Sequence, residues 1–194
     1  MSFNDPFDCN LNLAEYEDEF TQKLKWDVGR NDISNIGISC FTQDIDNPLM
    51  WGHYTSQYKG YVLEFHPKKF QGEMEDDRLY SFNPVIYLEK LKKIKATDDY
   101  ALEYLTTVKD ARWEHEKEWR LVTTINRPED RTVYYNKEGI KAIYIGHKIP
   151  DEQPSQFNFL LNLFDDIYPD REIYVVYPDP TELALRFERI NDKK

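Results

Sequence analysis

The chain has 194 residues, 40% of them hydrophobic and 31% charged, which predicts one soluble domain with a buried core. Its formal net charge of −11 argues against a broad surface for duplex DNA, because affinity for phosphates comes mainly from Lys and Arg. That charge leaves open a small basic nucleotide pocket, nucleic-acid mimicry or a basic protein partner, although a plain solubility surface would look the same.

Cysteine usage and the absence of long apolar runs indicate the compartment. Cys9 and Cys40 stand far apart, so the thiols are expected to be reduced, with no disulfide framework and no zinc site. The start of the chain shows no signal peptide, and no apolar run reaches the ~18 residues of a membrane span. We therefore expect a cytoplasmic protein.

In the first half of the chain, short strands are predicted to alternate with helices. Apolar residues recur at helical spacing from Asn12, a capping residue, to Leu24. A short helix is predicted over 48–54, where Pro48 favours a helix start. The predicted strands are residues 36–42, 60–66 and 85–88.

The second half is richer in strands. Helices are predicted from Asp98 to Ala111 and from Asp151 through a stripe that ends at Phe164. The predicted strands are residues 119–125, 132–135, 142–145, 172–177 and 182–190. The order lacks a steady β-α-β rhythm, so it predicts a single α+β domain over 1–194, with a mixed or mostly antiparallel sheet and several packed helices.

The most informative segment is the charged box, Trp113 to Arg120, with the sequence WEHEKEWR. On a strand, Glu116, Glu118 and Arg120 would share one face, with neighbours ~6.5–7 Å apart. Two carboxylates at that spacing can hold a sugar hydroxyl, stabilise a cationic centre or share a divalent ion. The competing interpretation is a structural network, in which Arg120 and Lys117 neutralise the glutamates and both tryptophans lie in the core.

Two further boxes are weaker candidates. In the segment 48–54, His53 is a candidate general base or ligand-orienting donor, whereas Trp51 is more typical of a core residue. The segment 3–9 has turn chemistry, with Asp5 or Asp8 as the residue that could reach a pocket.

The remaining acidic and histidine residues are assigned structural roles. The loop 43–47 offers Asp44 and Asp46 but lacks the pattern of a calcium loop. His115 and His147 stand alone in the sequence.

Together these boxes resemble a bacterial family catalogued as a domain of unknown function (number twenty-nine seventy-one). Members of that family usually carry an upstream segment with a tyrosine–arginine strand, which is expected to be missing here or supplied differently, and His115 stands where the family has tyrosine. The motifs that carry it are FNDPFDC at 3–9, ISCFT at 38–42, NPLMWGHY at 47–54, KGYVLEF at 59–65, WEHEKEWR at 113–120 and IKAIYIG at 140–146.

The arrangement is also similar, by fold-level analogy alone, to ADP-ribosyltransferases, which use a serine strand and a late Glu-x-Glu. The analogy implies NAD as the nucleotide, with Ser39 on the second element and Glu116 and Glu118 on the third. Glu118 would bind a ribose hydroxyl and stabilise the oxocarbenium ion that forms as nicotinamide leaves.

The same analogy implies further substrate-binding residues. His53 and Tyr54 would line the nicotinamide pocket, with Tyr54 or Trp51 stacking on the ring. Arg120 is a further candidate for contact with the substrate.

Three functions therefore compete. NAD-dependent ADP-ribosyl transfer or NAD cleavage leads, and a non-catalytic protein-binding domain in a phage-related or defence setting is the alternative. A metal-dependent nuclease or phosphodiesterase that uses Asp44, Glu64, Glu116 and Glu118 is third. An enzyme predicts that both box glutamates and His53 meet in an open pocket, whereas a structural box predicts paired and covered glutamates.

Overall fold

A computed structural model describes residues 9, 13–15, 35–66, 79–95, 98–125, 127 and 132–190. The chain forms two compact units. The first unit comprises residues 1–44 and 76–133, and the second comprises residues 45–75 and 134–194. Each unit combines strands with helices, which confirms the predicted α+β class. The single domain over 1–194 stays a prediction.

The described residues contain eleven strands, four α-helices and two 3₁₀ helices. The strands are β1 (Ala14–Glu15), β2 (Ile36–Thr42), β3 (Tyr61–Phe65), β4 (Leu79–Pro84), β5 (Ile86–Leu88), β6 (Ile94–Lys95), β7 (Val108–Asp110), β8 (Glu118–Thr124), β9 (Ile140–Gly146), β10 (Glu172–Pro178) and β11 (Leu185–Arg189). The helices are α1 (Pro48–Tyr54), α2 (Ala101–Thr107), α3 (Lys148–Glu152), α4 (Pro154–Ile167) and the 3₁₀ helices Ala111–Glu116 and Lys137–Gly139.

The first unit is built around β8, which lies between β2 and β4 in an antiparallel sheet. The register places Cys40 opposite Arg120 and Ser39 opposite Leu121. Directly paired residues share a face and neighbours along a strand alternate, so Cys40 and Arg120 lie on one face and Ser39 on the other. Two small parallel pairs, β1 with β6 and β5 with β7, complete the described strands of this unit.

The second unit contains a mixed sheet in the order β11-β10-β9-β3. β9 and β10 are parallel at its centre, and each is flanked by an antiparallel strand. On one face, Ile143 and Ile145 pack with Leu160 and Phe164 of α4 in the larger core. Burying each aliphatic side chain of this kind contributes about 1.5–3 kcal/mol, which is why the apolar stripe of α4 faces the sheet.

A smaller core in the second unit fixes α1. Trp51 is 2% exposed and packs with Val176 and Leu185. The helix starts where Asn47 accepts a hydrogen bond from the backbone N–H of Leu49 at 3.0 Å and proline occupies the first turn.

Some sequence predictions are wrong. Residues 132–135 alternate but form no strand. The helix predicted over 98–111 ends at Thr107, because Val108–Asp110 pairs with β5 instead. Of the helix predicted over 12–24, only residues 13–15 are described, and Ala14–Glu15 forms a strand; the rest, like residues 3–8 of the first motif, lies outside the described residues.

No helix in the described part of the chain is both long and apolar enough to cross a membrane.

Candidate functional site

The charged box forms a 3₁₀ helix followed by a strand, and the strand predicted over 119–125 corresponds to β8. The first residues of the box form the 3₁₀ helix that ends at Glu116, and Asp110 caps the start of this helix by accepting from the N–H of Arg112 at 2.9 Å. Lys117 then adopts a left-handed conformation, with φ 45° and ψ 48°, and β8 begins at Glu118. Glu118 and Arg120 share a strand face, whereas Glu116 lies in the preceding 3₁₀ helix, so the condition that all three residues lie on one strand is not met.

A buried network joins both box glutamates to two cations. Lys109 donates to the carboxylate of Glu116, and its Nζ also lies 3.0 Å from Oε2 of Glu118. Arg120 contacts both oxygens of Glu118, from Nε at 2.8 Å and from Nη2 at 3.2 Å. Its Nη1 donates to the carbonyl of Thr106 at 2.7 Å. The two glutamates, Lys109 and Arg120 are each 5% exposed or less, and their formal charges cancel.

Within the network, the pKa values of Glu118 and Lys109 both shift toward the charged form. Burial by itself would raise the pKa of Glu118, but hydrogen bonds and charge from Arg120, with help from Cys40 and Lys109, lower it overall. Burial would likewise lower the pKa of Lys109, and its hydrogen bonds to Glu116 and Glu118 outweigh that effect and raise it. Ionised partners make these contacts charge-assisted hydrogen bonds, which are stronger than neutral ones.

Cys40 and Ser39 lie on opposite faces of the sheet. Burial of the Cys40 thiol, followed by its hydrogen bond to Glu118, raises the pKa of Cys40 to about 12, even though the residue as a whole counts as exposed. Reactivity depends on the surroundings of the sulfur atom rather than on the exposure of the whole residue, and a thiol with this pKa is a poor nucleophile. Ser39 is exposed on the other face, beside Leu121 in the register rather than beside Glu118.

The two tryptophans and Lys117 of the box differ in their surroundings. Trp113 is half-buried and stacks on His115, with Lys109 Nζ 5.2 Å from its ring centroid. Trp119 is also half-buried and packs on Phe82 of β4. Lys117, which the structural interpretation paired with the glutamates, instead forms a surface pair with Asp44 in the loop after β2.

The carboxylates proposed for a metal are held by cations or hydroxyls. Asp44 pairs with Lys117 at 2.7 Å. In the second unit, Glu64 accepts from Lys141 at 2.5 Å and from the hydroxyl of Tyr144 at 2.7 Å. Within the described residues, no group of three or more His, Cys, Asp or Glu side chains is arranged to hold a metal ion.

The candidate site residues of the segment 48–54 differ in their exposure to solvent. Trp51 is buried, donates from Nε1 to the carbonyl of Ile45 at 2.8 Å and stacks on Tyr58. His53 is exposed, and Tyr54 is 55% exposed. These three belong to the second unit, whereas the other predicted site residues, Ser39, Glu116, Glu118 and Arg120, belong to the first unit. The assignment of all seven as catalytic or substrate-binding residues stays a prediction.

A strained loop holds α1 in place. Ser56, Gln57 and Tyr58 all have positive φ values, of 51°, 60° and 68°. This run turns the chain back along the helix. The Tyr58 hydroxyl donates to the carbonyl of Pro48 at 3.2 Å, and the backbone N–H of Tyr58 donates to the hydroxyl of Thr55 at 3.2 Å. Non-glycine residues in this region cost about 1–3 kcal/mol each and persist only where the surroundings enforce them.

Sequence reasoning missed Lys109, Tyr58 and Tyr87. Lys109 closes the buried network, and Tyr87 accepts a hydrogen bond from the N–H of Glu118 at 2.8 Å. A lysine inside the run Leu-Thr-Thr-Val-Lys was the available signal, because a buried lysine requires a carboxylate partner.

Comparison with known proteins gives one finding. The model of a family described as protein of unknown function (DUF2971) matches residues 50–121, from α1 through the charged box. The match confirms the resemblance drawn from the sequence motifs. No curated protein and no solved structure matches the chain. The comparisons therefore support the family resemblance and assign no activity.

Proposed function

We propose that this chain is a protein-binding domain that performs no chemical step itself, and that α1 forms its binding surface. One observation carries the proposal. Trp51 is buried and held at 2% exposure, while Leu49 and Tyr54 on the same short helix remain 53% and 55% exposed. A helix that is fixed through a buried tryptophan and still exposes two large apolar side chains is preorganised for a partner, so little conformational entropy is lost on binding.

The buried network supports this proposal because it occupies the carboxylates that an enzyme would need. Glu118 is 5% exposed and contacts Arg120 through both oxygens, and Glu116 is 2% exposed beside Lys109. An ammonium group lies between the two glutamates, where a shared divalent ion had been considered. The burial of the two glutamates and their pairing with Lys109 and Arg120 suit a structural role for the box.

The charge of the chain indicates what kind of partner fits. Acidic residues outnumber basic ones by 36 to 25, whereas the sequence of α1 carries no Asp, Glu, Lys or Arg. Because the chain as a whole is acidic and α1 is apolar, we expect a partner with an apolar stripe and basic residues, since complementary charge steers the encounter and apolar contact supplies affinity. The phage-related or defence setting remains the expected context.

NAD-directed chemistry is the rival. It requires the carboxylate of Glu118 to exchange Arg120 for a ribose hydroxyl, and it predicts that NAD⁺ stabilises the folded protein. At a hundred times its Kd, a ligand that binds only the folded state should add about 2.7 kcal/mol of stability.

The decisive experiment combines a peptide-binding titration with thermal-shift titrations. Fluorescence anisotropy follows the binding of a labelled synthetic amphipathic helix of leucine and lysine. Thermal shift follows the response to NAD⁺, Mg²⁺ and Mn²⁺. We expect saturable peptide binding that Leu49→Ala and Tyr54→Ala weaken and that Phe159→Ala leaves unchanged. Phe159 is the matched control, because it is 63% exposed on α4 of the same unit. A thermal shift with NAD⁺ that Glu118→Gln removes, or peptide binding indifferent to both α1 variants, would contradict the proposal.

A further inference from the structure

Strand β11 forms one edge of the sheet in the second unit, and β3 forms the other edge. β3 has a break in register between Glu64 and Phe65, and breaks of this kind blunt the edge of a sheet. β11 instead pairs with β10 in an unbroken register from Leu185 to Arg189 and contains no proline. Within the described part of the chain, no strand pairs with the outer side of β11. That side therefore has the geometry to receive a further strand.

The hydrogen bonds of β11 fix which of its backbone groups point away from β10. The N–H of Ile190 donates to the carbonyl of Ile173 at 2.8 Å. Since backbone groups alternate along a strand, the even-numbered residues of β11 bond to β10 and the odd-numbered residues point their amides and carbonyls outward. The N–H of Leu185 accordingly turns away from β10 and donates to the side chain of Asp46 at 3.2 Å. Phe187, at the centre of the strand, offers both an outward N–H and an outward carbonyl.

The charges of β11 are self-complementary about Phe187. Arg186 and Glu188 flank this residue on the same strand face, with Nη2 and Oε1 2.9 Å apart and side chains 47% and 51% exposed. When two copies of the strand run antiparallel with Phe187 opposite itself, Arg186 of each copy lies opposite Glu188 of the other. Opposite charges at directly opposed positions stabilise a strand pair.

The same charges also select the register. A slip of two residues in one direction would set Arg186 opposite itself, and a slip in the other direction would set Glu188 opposite itself. Like charges directly opposite each other destabilise a strand pair. The alignment about Phe187 is therefore favoured over both of its neighbours.

We propose that β11 pairs antiparallel with β11 of a second copy of the chain, with Phe187 at the twofold axis. The two four-stranded sheets then form one sheet of eight strands. Phe187 of each copy exchanges both of its outward hydrogen bonds with Phe187 of the other, as in any hydrogen-bonded antiparallel pair. This surface is separate from the exposed side chains of α1, so the inference goes beyond the proposed function. A strand of five residues buries little area, so we expect a dissociation constant of about 1–100 μM.

The test exchanges the two charges. Arg186→Glu gives β11 two glutamates and Glu188→Arg gives it a run of arginines, so each variant alone opposes like charges and should associate at least about tenfold more weakly than wild type. The double variant Arg186→Glu/Glu188→Arg should dimerise as wild type does. An equimolar mixture of the two single variants should form a heterodimer. The control, Lys137→Glu, makes the same change of charge at an exposed position of the same unit and should leave association unchanged.

Two measurements decide the outcome. Sedimentation velocity across the micromolar range follows association, and circular dichroism checks that the exposed substitutions leave the protein folded. Amide exchange by NMR locates the contact, because the N–H of Phe187 should become protected as the protein concentration rises.

The results that would overturn the pairing are distinct from those that concern α1. A wild-type chain that stays monomeric, a dimer that persists in both single variants, or a mixture of the two that does not associate would each overturn it. A dimer that Leu49→Ala dissociates and Arg186→Glu does not would place self-association at α1 and overturn it as well. Peptide binding at α1 is measured separately, so either proposal can fail while the other stands.

Discussion

Replacement of Arg120 by methionine would leave Glu118 ionised and poorly paired in the interior of the first unit. The carboxylate would lose contacts at 2.8 and 3.2 Å, and the carbonyl of Thr106 would lose its donor at 2.7 Å. Water could not replace them, because Arg120 is 0% and Glu118 5% exposed. Removal of one partner from a buried ion pair typically costs 3–5 kcal/mol, so we expect about that loss in the free energy of unfolding. For a domain stabilised by about 5–15 kcal/mol, this loss is large.

The double variant Glu118→Gln/Arg120→Met sharpens the test. It leaves Lys109 paired with Glu116 and restores a neutral interior, so we expect its free energy of unfolding to exceed the additive expectation by about 1–3 kcal/mol. The assay is urea unfolding followed by tryptophan fluorescence. The control is Arg112→Met, which removes a pair whose arginine side chain is 79% exposed and should cost less than about 1 kcal/mol. Additive effects within about 0.5 kcal/mol, or an Arg120→Met variant as stable as the control, would refute the account of the network.

Three further predictions concern pH, backbone strain and the thiol. The lowered pKa of Glu118 contributes stability that is fully present above the ordinary pKa of 4.5 and is lost as the pH falls through the lowered value. The raised pKa of Lys109 contributes stability that is lost as the pH rises past the ordinary lysine value of 10.5. Melting temperatures across pH should fall at both ends, and Glu118→Gln should flatten the acid end; a melting temperature constant below pH 4.5 would contradict this. Gln57→Gly should raise the free energy of unfolding by about 1 kcal/mol in urea titrations, because glycine adopts the positive φ of 60° without strain, and a loss of stability would argue against strain at this residue. In a Cys9→Ser variant, Cys40 should be alkylated far more slowly at pH 8 than a free thiol, because its pKa is about 12. Mass spectrometry would follow the reaction, and alkylation at the rate of a free cysteine would show an accessible thiolate and contradict the prediction.

Local sequence patterns predicted the elements well where a single element explains its own residues. The strand over 36–42 and the helix over 48–54 match β2 and α1 to the residue. Both carry strong local signals, which are β-branched and aromatic residues in β2 and a capped proline start in α1. The strand predicted at 132–135 had the alternation but no partner, and alternation alone cannot supply the hydrogen bonds of a sheet.

The candidate site depended on contacts that no local pattern encodes. Glu116 does not lie on one strand with Glu118 and Arg120 because Lys117 adopts a left-handed conformation, which a lysine does not signal. Lys109 reaches the glutamates only because β7 pairs with β5, a contact between segments more than twenty residues apart. Ser39 fell on the face away from Glu118 because the side of a strand changes with every residue of register.

The backbone between α1 and β3 has a length that cannot be altered without cost. Tyr58 reaches back along the whole helix to Pro48, and Gly146 meets the carbonyl of Tyr58 so closely that it has no room for a side chain. Surface loops usually tolerate insertions, but an extra residue here would detach the ring that covers Trp51. A tag, a fluorophore or a new chain terminus therefore belongs in the turn between β10 and β11, where Leu183 projects fully into solvent.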